Sequence, residues 1–234
     1  MISRLTKLAW PLLAFFLPLA LYAKTLASTY IPIDSAEFAL CMHFWGICHP
    51  PGFPLYVLAG KIFTGIFPFG SLIYKANLLS AIFGAGTILL VYLAQVELRV
   101  NRRLAMALSL LLAVSQVFWE FSTAADVFTF GAFLVALTFF LAFKKRKYLT
   151  FFVLGLSASH FYITAILAPV FLWYGWGKDI KFINFIIVIF ASSSKLANTH
   201  LSAQSAHKFI NFIILHILRF PSPIPQVLLF LEQK

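Results

Sequence analysis

Long apolar runs divided by short basic clusters dominate this sequence and restrict what it can fold into. Two such clusters occupy residues 99–103 and 144–147, and each follows an apolar run long enough to form a helix. Hydrophobic residues make up 62% of the chain and charged residues 11%, whereas an ordinary soluble domain is about 45–50% apolar and about 25% charged. A soluble globule of 234 residues cannot bury so much apolar surface. The pattern therefore predicts an all-α, polytopic transmembrane protein.

The charge balance favours a membrane over nucleic acid as the partner. The chain has 18 Lys and Arg against 7 Asp and Glu, a net charge of +11. The basic residues stand between apolar runs, as the positive-inside rule expects for cytoplasmic loops. We therefore expect a lipid bilayer as a partner and no nucleic acid.

The two cysteines, Cys41 and Cys48, are too few for a disulfide framework. A bond between them is compatible with an extracytoplasmic location, but their spacing does not decide the matter.

The apolar runs predict a transmembrane module over residues 1–177. The first run has the basic start of a signal peptide, but residues 21–23, Leu-Tyr-Ala, match a cleavage site poorly, which favours an uncleaved first span. Residues 178–234 predict only a poorly defined hydrophobic tail, in which the heptapeptide at 181–187 recurs at 208–214. The predicted spans are 8–27, 74–98, 104–119, 127–143, 148–160 and 162–176, and the first external loop covers 28–73.

The external loop contains an apolar stretch that is too short to span a bilayer. Residues 54–67 form a helix of roughly 21 Å, against a hydrocarbon core of about 30 Å. We therefore predict a juxtamembrane helix that lies along the membrane surface. With this helix outside the count of spans, the basic N-terminus and the clusters at 99–103 and 144–147 all fall on the cytoplasmic side.

Four acidic residues fall on the external side under this topology and could converge on one cleft: Asp34, Glu37, Glu120 and Asp126. Asp34 and Glu37 share one helix face because they are three residues apart. They also fit a capping box, in which both carboxylates bond to N–H groups at the start of a helix. The two interpretations are compatible, since a capping carboxylate can still present one oxygen to a substrate.

Further polar residues stand at the predicted external ends of helices. His49 precedes Pro50-Pro51-Gly52, a rigid corner that either orients the imidazole or only shapes the loop. Lys75 and Asn77 open the second span near the level of a lipid phosphate, although snorkelling also explains a lysine there. Asp126 also suits a helix N-cap, and His160 also suits a kink.

No metal site or nucleotide-binding loop is indicated. Four possible ligands, Cys41, His43, Cys48 and His49, lie within nine residues, but their spacing does not match common zinc patterns. The chain has no GxSxG, P-loop, GxGxxG or HExxH arrangement, so hydrolase and nucleotide-driven functions lack support. The acids are too few within the spans for a proton-coupled transporter, which we rank last.

Five motifs occur in the order typical of one transferase family. They read DSAEFA at 34–39, GICHPPGFPLY at 46–56, YKANLLSA at 74–81, FWEFSTAADVF at 118–128 and GLSASH at 155–160. Together they resemble the protein O-mannosyltransferase-like branch of the GT-C membrane glycosyltransferases, over roughly residues 8–175. The chain departs from that pattern at Asp126, where a Glu is expected, and at Cys48, where a small residue such as Ala is usual.

The resemblance implies a GT-C-like module with juxtamembrane helices in its first external loop. It also implies a polyprenyl- or dolichyl-phosphate sugar as donor, for example mannose, and an extracytoplasmic acceptor, such as a protein Ser/Thr hydroxyl or a glycan. Carried over to this sequence, Asp34 and Glu37 are the catalytic candidates, with Asp34 as general base. Candidates for binding the donor or the acceptor are His49, Lys75, Asn77, Asp126 and His160.

The cofactor expectation follows from the same resemblance, whereas the location follows from the predicted topology and the short, loop-poor chain. A lipid-linked donor needs no nucleotide cofactor, and metal dependence stays open. We expect a multi-pass protein of a bacterial plasma membrane, or of the endoplasmic reticulum if the source is eukaryotic. The alternative function is a non-catalytic membrane protein or partner subunit that retains the family scaffold, because family members are much longer than this chain.

Overall fold

The computed structural model describes residues 2–27, 29 and 34–175, and every structural statement refers to these residues. The predicted tail at 178–234 lies outside them. All regular elements of the described part are helical, which confirms the expected all-α class. They are α1 (Ile2–Lys24), α2 (Ser35–Phe44), α3 (Pro54–Ile66), α4 (Leu72–Glu97), α5 (Arg102–Ala113), α6 (Gln116–Thr123), α7 (Val127–Phe143), α8 (Lys147–His160), a 3₁₀ helix (Tyr162–Leu167) and α9 (Ala168–Gly175).

Within the described residues, α4 is long and apolar enough to cross a bilayer by itself. Its 26 residues extend over about 39 Å. The pair α5 and α6 counts as a second candidate if it is taken as one span, although its two helices are bent by 66°. α3, α7 and the apolar part of α1 (Leu8–Lys24) are shorter. The expectation of several membrane spans therefore stays a prediction.

The bend between α5 and α6 divides the segment that the sequence predicts as one span at 104–119. The helix ends at Ala113, and the Ser115 hydroxyl donates a hydrogen bond to the Leu112 carbonyl at 2.8 Å. Serine side chains compete with the backbone for such carbonyls, which weakens a helix interior. The apolar pattern continues through this break, and for that reason the pattern alone does not reveal it. A second difference is that 162–167 forms a 3₁₀ helix before α9 begins.

α4 is the central helix, and α1 runs antiparallel to it. Tyr22, near the end of α1, packs with Ala81 near the start of α4. Ala14, nearer the start of α1, packs with Tyr92 near the end of α4. The Tyr22 hydroxyl also donates a hydrogen bond to the Ala113 carbonyl at 2.9 Å, which ties α1 to the end of α5.

α7 runs parallel to α4, so the bundle has two chemically different ends. The Ala125 N–H, just before α7, donates to Asn77 Oδ1 near the start of α4 at 2.8 Å. At the opposite end, Lys144 Nζ lies 2.7 Å from Glu97 Oε2. The basic clusters that follow α4 and α7 therefore share one end, as the predicted topology requires. Asp34, which precedes α2, belongs to the other end.

α6 packs against α4 at close range because α4 carries a glycine there. A Cβ atom at Gly84 would lie 2.5 Å from Ser122 Oγ and 2.9 Å from Ser122 Cβ. The Ser122 hydroxyl is itself held, because it donates to the Phe118 carbonyl at 2.6 Å. Any side chain at position 84 therefore forces the two helices apart.

We expect Gly84→Leu to lower the free energy of unfolding by about 1–3 kcal/mol, the usual cost of overpacking. Gly65→Leu is the matched control, because a Cβ atom at Gly65 meets nothing within 4 Å. Thermal unfolding in detergent, followed by size-exclusion chromatography, compares the two variants. Equal melting temperatures would contradict the close packing of α4 and α6.

Candidate functional site

Asp34, Glu37 and His49 lie together at the start of α2. Asp34 immediately precedes the helix and Glu37 stands in its first turn. The His49 ring approaches both carboxylates: Nδ1 lies 2.9 Å from Glu37 Oε2 and Nε2 lies 3.8 Å from Asp34 Oδ2. The His49 backbone N–H also donates to Glu37 Oε1. The structure therefore joins three of the residues that the sequence analysis selected.

The capping-box interpretation of Asp34 and Glu37 is wrong. Asp34 occupies the N-cap position of α2, but its side chain makes no capping hydrogen bond. The Glu37 carboxylate accepts from His49 instead of reaching back to the N-terminus of the helix. The donor groups belong to His49, which is 12 residues further along the chain. The spacing of residues within one helix does not reveal a partner at that distance. Neither carboxylate therefore caps α2.

The corner that follows His49 is a tight turn, as its Pro-Pro-Gly sequence predicts. The Gly52 N–H donates to the His49 carbonyl at 2.8 Å, and Gly52 adopts a φ of 88°. Phe53 then starts α3, with Pro54 in its first turn. The His49 ring packs against the rings of Phe38 and Phe53, with centroids 5.5 and 5.7 Å away. These contacts hold the imidazole against α2.

The three side chains remain open to solvent while they interact. Their side chains are 48% exposed at Asp34, 43% at Glu37 and 38% at His49. Hydrogen bonds from the His49 ring and then from its backbone N–H hold the pKa of the Glu37 carboxyl below its usual value of 4.5. Glu37 is therefore the ionised partner of His49 at neutral pH, and a substrate can reach the group.

Asp126 approaches this group from the start of α7. It is buried, and its Oδ1 accepts a hydrogen bond from the Phe128 N–H at 3.1 Å, so Asp126 is an N-cap. Asp34 and His49 both act on it electrostatically. Burial raises the pKa of the Asp126 carboxyl above its ordinary 3.8, and the Asp34 charge acts in the same direction. The exposed Glu120 makes no described contact with this group, so three of the four external acids are near one another.

The raised pKa of Asp126 predicts how the stability of the protein depends on pH. Because the folded state disfavours the charged carboxylate, the wild-type protein loses stability as the pH rises from 3.8, the ordinary value, through the folded-state pKa. Asp126→Asn keeps a capping oxygen and removes the charge. We therefore expect its stability relative to wild type to increase as the pH rises above 3.8.

Asp126→Ala is the control for this prediction, since it also removes the charge but loses the cap, at a cost of about 1 kcal/mol. Melting temperatures of the three proteins in detergent across that pH range distinguish the two effects. A difference between Asp126→Asn and wild type that does not change with pH would contradict the burial of a charged carboxylate.

Asn77 lies inside the bundle, which does not fit the expected direct contact with the donor. Its side chain is fully buried. Nδ2 donates to the Ala27 carbonyl at 2.9 Å, and Oδ1 accepts from the Ala125 N–H at 2.8 Å. Asn77 points inward because its side chain pairs with backbone groups of two irregular segments, one after α1 and one before α7. Asn77 therefore positions the segment that contains Asp126.

His160 is also buried, at 1% exposure. Its Nε2 lies 3.0 Å from the Val127 carbonyl, to which it donates, and Phe53 and Phe130 pack against the ring. As with Asn77, this burial does not fit direct substrate contact. His160 instead joins the end of α8 to the start of α7.

Lys75 lies apart from the acidic group. Its ammonium donates to the Thr64 carbonyl of α3 at 3.3 Å, and the side chain is half-buried. Among the described residues no contact joins it to Asp34, Glu37 or His49. Lys61 makes a comparable bond to the His43 carbonyl. The two lysines bind α3 to its neighbours.

Tyr56 and Ser80 belong to the surroundings of the site, although the sequence analysis did not select them. Their hydroxyl oxygens are 3.0 Å apart and buried. The Asp126 N–H donates to Ser80 Oγ at 3.2 Å. The signal was present, because Ser80 lies three residues after Asn77 and therefore on the same helix face.

Asp34, Glu37 and His49 are also the residues best placed to hold a cation. One potential ligand atom from each lies within 4.8 Å of the others.

Cys41 and Cys48 are joined to each other in a disulfide, with Cα atoms 5.9 Å apart. This pairing answers the question that their spacing left open, and it removes both thiols from the set of possible metal ligands.

Known proteins with similar sequences lead to one family. The family model described as "Protein O-mannosyl-transferase TMEM260 N-terminal domain" matches residues 34–184. A mouse protein named protein O-mannosyl-transferase TMEM260 is 32% identical over 118 residues, which are 50% of this chain and 17% of that protein. A Dictyostelium discoideum protein of the same name is 30% identical over 130 residues, 51% of this chain and 16% of that protein.

The chain thus spans about a sixth of the length of these two relatives. No solved structure gives a significant match. The family match begins at Asp34 and includes every candidate site residue named above. It confirms the resemblance to protein O-mannosyltransferases that the five motifs suggested. The chain belongs to the protein O-mannosyl-transferase TMEM260 family, through the N-terminal domain of that family.

Proposed function

We propose that this chain provides the acidic site of a membrane glycosyltransferase that transfers a sugar, such as mannose, from a polyprenyl- or dolichyl-phosphate donor to a protein Ser/Thr hydroxyl. The observation that carries the proposal is the Asp34 carboxylate. It is half-exposed, makes no helix-capping bond, and lies beside the hydrogen-bonded Glu37–His49 pair. The names of the two relatives supply the reaction class.

In the proposed reaction, Asp34 accepts the proton of the acceptor hydroxyl. The hydroxyl oxygen forms a bond to the anomeric carbon of the sugar, and the bond between that carbon and the phosphate oxygen breaks. The polyprenyl phosphate leaves with the electron pair of the broken bond. A positioned general base contributes roughly 10²–10⁴ to the rate of such a step.

Glu37 and His49 orient the reactants in this proposal. Glu37 accepts two hydrogen bonds from His49 and so keeps the imidazole at the side of Asp34. The Nε2 atom, 3.8 Å from Asp34, is then the atom of His49 that can contact the acceptor or the donor phosphate. Asp126 is fixed at the start of α7 by its N-cap bond, and from there it interacts electrostatically with Asp34 and His49.

An apolar groove between α3 and α4 suits the lipid part of the donor. It has a volume of about 420 Å³, and its lining includes Phe63, Phe67, Leu79 and Phe83. Lys75 bonds to the Thr64 carbonyl, which lies next to Phe63 in the chain. A cation beside an apolar groove suits a lipid with an anionic head group, which supports Lys75 as a binding residue for a lipid-linked donor.

Location is part of the proposal. The acidic group lies at the opposite end of the bundle from the basic clusters, which supports an extracytoplasmic site. The bacterial plasma membrane expected from the sequence stays a prediction. The mouse and Dictyostelium relatives favour the alternative, the endoplasmic reticulum.

The test is sugar transfer by membranes that contain this chain. Labelled dolichyl-phosphate mannose, polyprenyl-phosphate mannose and a nucleotide-linked mannose are supplied separately, each with a Ser/Thr-rich acceptor peptide. We expect label on the peptide from a lipid-linked donor. The nucleotide sugar should give no label unless the membranes first convert it into a lipid-linked sugar. Transfer from the nucleotide sugar in lipid-free detergent would contradict the donor class. Binding of the lipid donor without transfer would favour the non-catalytic alternative.

A further inference from the structure

The Cys41–Cys48 disulfide lies next to the Glu37–His49 pair. Cys41 follows Glu37 by one helical turn on the same face of α2, and Cys48 immediately precedes His49. Both cysteines are buried. The two sulfur atoms and a Glu37 carboxylate oxygen all lie within 4.8 Å of one another. The bond thus connects the helix that presents Glu37 to the backbone that presents His49.

The loop between the cysteines begins with the buried Met42, but its outer residues, 44–47, have few noncovalent contacts. Phe44, Trp45 and Ile47 are 72%, 62% and 92% exposed. The Trp45 and Gly46 N–H groups both donate to the Cys41 carbonyl and close the end of α2. With so little burial, the loop has little packing energy to offset the conformational entropy of its residues. A covalent link reduces the number of conformations that the loop can adopt.

We propose that the Cys41–Cys48 disulfide is a positioning element of the site, which keeps His49 on Glu37 and is lost on reduction. That the disulfide supports catalysis rests on the proposed function. That it holds His49 on Glu37 does not. Disulfides persist in oxidising compartments and are rare in the cytosol. The disulfide therefore also assigns this end of the bundle to an extracytoplasmic compartment, opposite the basic clusters.

The first experiment asks whether the bond exists in the protein as made by cells. Membranes are treated with an alkylating reagent before lysis, and peptides containing Cys41 and Cys48 are identified by mass spectrometry without reduction. We expect Cys41 and Cys48 to be recovered in disulfide-bonded form, within one peptide or in two linked peptides if the protease cuts between them. Recovery of both cysteines as alkylated thiols would overturn the proposal.

The second experiment compares the reactivities of His49 and His43 towards diethyl pyrocarbonate. His43 is exposed near the end of α2. The His49 ring is half-buried, because its Nδ1 lies on Glu37 and the ring packs against Phe38 and Phe53. In the Cys41→Ser/Cys48→Ser variant we expect the rate at His49 to rise about fivefold or more, since the ring loses a hydrogen bond to a charged group and its packing against Phe38 and Phe53. His43 lies between the cysteines but is already exposed, so its rate should change much less.

Reduction of the wild-type protein should reproduce this rise. Dithiothreitol supplies two electrons and two protons, which convert the disulfide to two thiols while the reagent forms its cyclic disulfide. The thiols are alkylated and the reagent is removed before the histidines are modified. The same treatment of the double serine variant should change nothing, because that variant has no disulfide to reduce.

Glu37→Gln, with its disulfide intact, separates positioning from general loosening of the fold. If the disulfide acts through the Glu37–His49 contact, this variant already has a fast rate at His49, and reduction adds little to it. Equal His49 rates in wild type and in the double serine variant would overturn the proposal. So would a rise on reduction that is as large in Glu37→Gln as in wild type. None of these readouts requires transferase activity, so their failure is distinguishable from failure of the proposed function.

Discussion

Asparagine in place of Asp34 is expected to lower the rate of sugar transfer by roughly 10²–10⁴-fold, the usual contribution of a general base. The amide has nearly the shape of the carboxylate but cannot accept the proton of the acceptor hydroxyl. The substitution should leave the fold intact, because the Asp34 side chain is half-exposed and makes no capping bond. The fall should therefore appear in kcat, with little change in the affinity for the donor.

The measurement compares initial rates of labelled sugar transfer by membranes that contain equal amounts of each protein. Glu120→Gln is the matched control, since it removes another exposed external carboxylate that makes no described contact with the Asp34 group. We expect the control to retain the wild-type rate. Equal activity of Asp34→Asn and Glu120→Gln would remove Asp34 from the mechanism. An equal loss in both would indicate an effect of net charge rather than of a base.

Replacement of Asn77 by alanine is expected to cause the largest loss of stability. It leaves the Ala27 carbonyl and the Ala125 N–H without their side-chain partner. The buried Ala125 N–H costs about 1–3 kcal/mol when it is unpaired, and the part-buried Ala27 carbonyl costs less, which gives about 2–4 kcal/mol in total. For a chain of this size that corresponds to a fall in melting temperature of roughly 4–16 °C.

Asn101→Ala is the control for the Asn77 prediction. Asn101 is an exposed N-cap of α5, which accepts from the Arg103 N–H at 2.9 Å. Its loss should cost about 1 kcal/mol. Thermal unfolding in the same detergent gives the comparison. A melting temperature for Asn77→Ala no lower than that of Asn101→Ala would contradict the role of Asn77 as a link between α4 and the segment before α7.

The same residue illustrates what a motif can and cannot predict. Asn77 stands in a motif that resembles the family pattern, and the sequence therefore marked it as a candidate. A motif does not distinguish a residue that touches the substrate from one that positions a neighbour. That distinction depends on burial, which follows from the packing of α4 against segments about 50 positions away in the chain. His160 is buried for the same reason, and its role as a binding residue stays a prediction.

The pairing of Glu37 also depended on tertiary structure. Helix spacing made a capping box the natural expectation, because spacing describes only neighbours within one helix. The actual partner, His49, is 12 residues away and reaches Glu37 through a turn and a disulfide. The convergence of the acids was predictable in outline, because the basic clusters assigned the loops to one side. Which acids met was not predictable, and Glu120 was not among them.

Composition and pattern by themselves determined the all-α class, the approximate helix boundaries and the separation of basic from acidic ends. These properties follow from local hydrophobicity and charge, which the chain displays residue by residue. Only the tertiary structure decided which polar residues face an open site, which are buried as links between helices, and where the segment at 104–119 breaks. The physical reason is that burial and hydrogen-bond partners are set by elements distant in sequence. A side chain such as Asn77 or Asp34 has the same local pattern whether it points into the bundle or out of it.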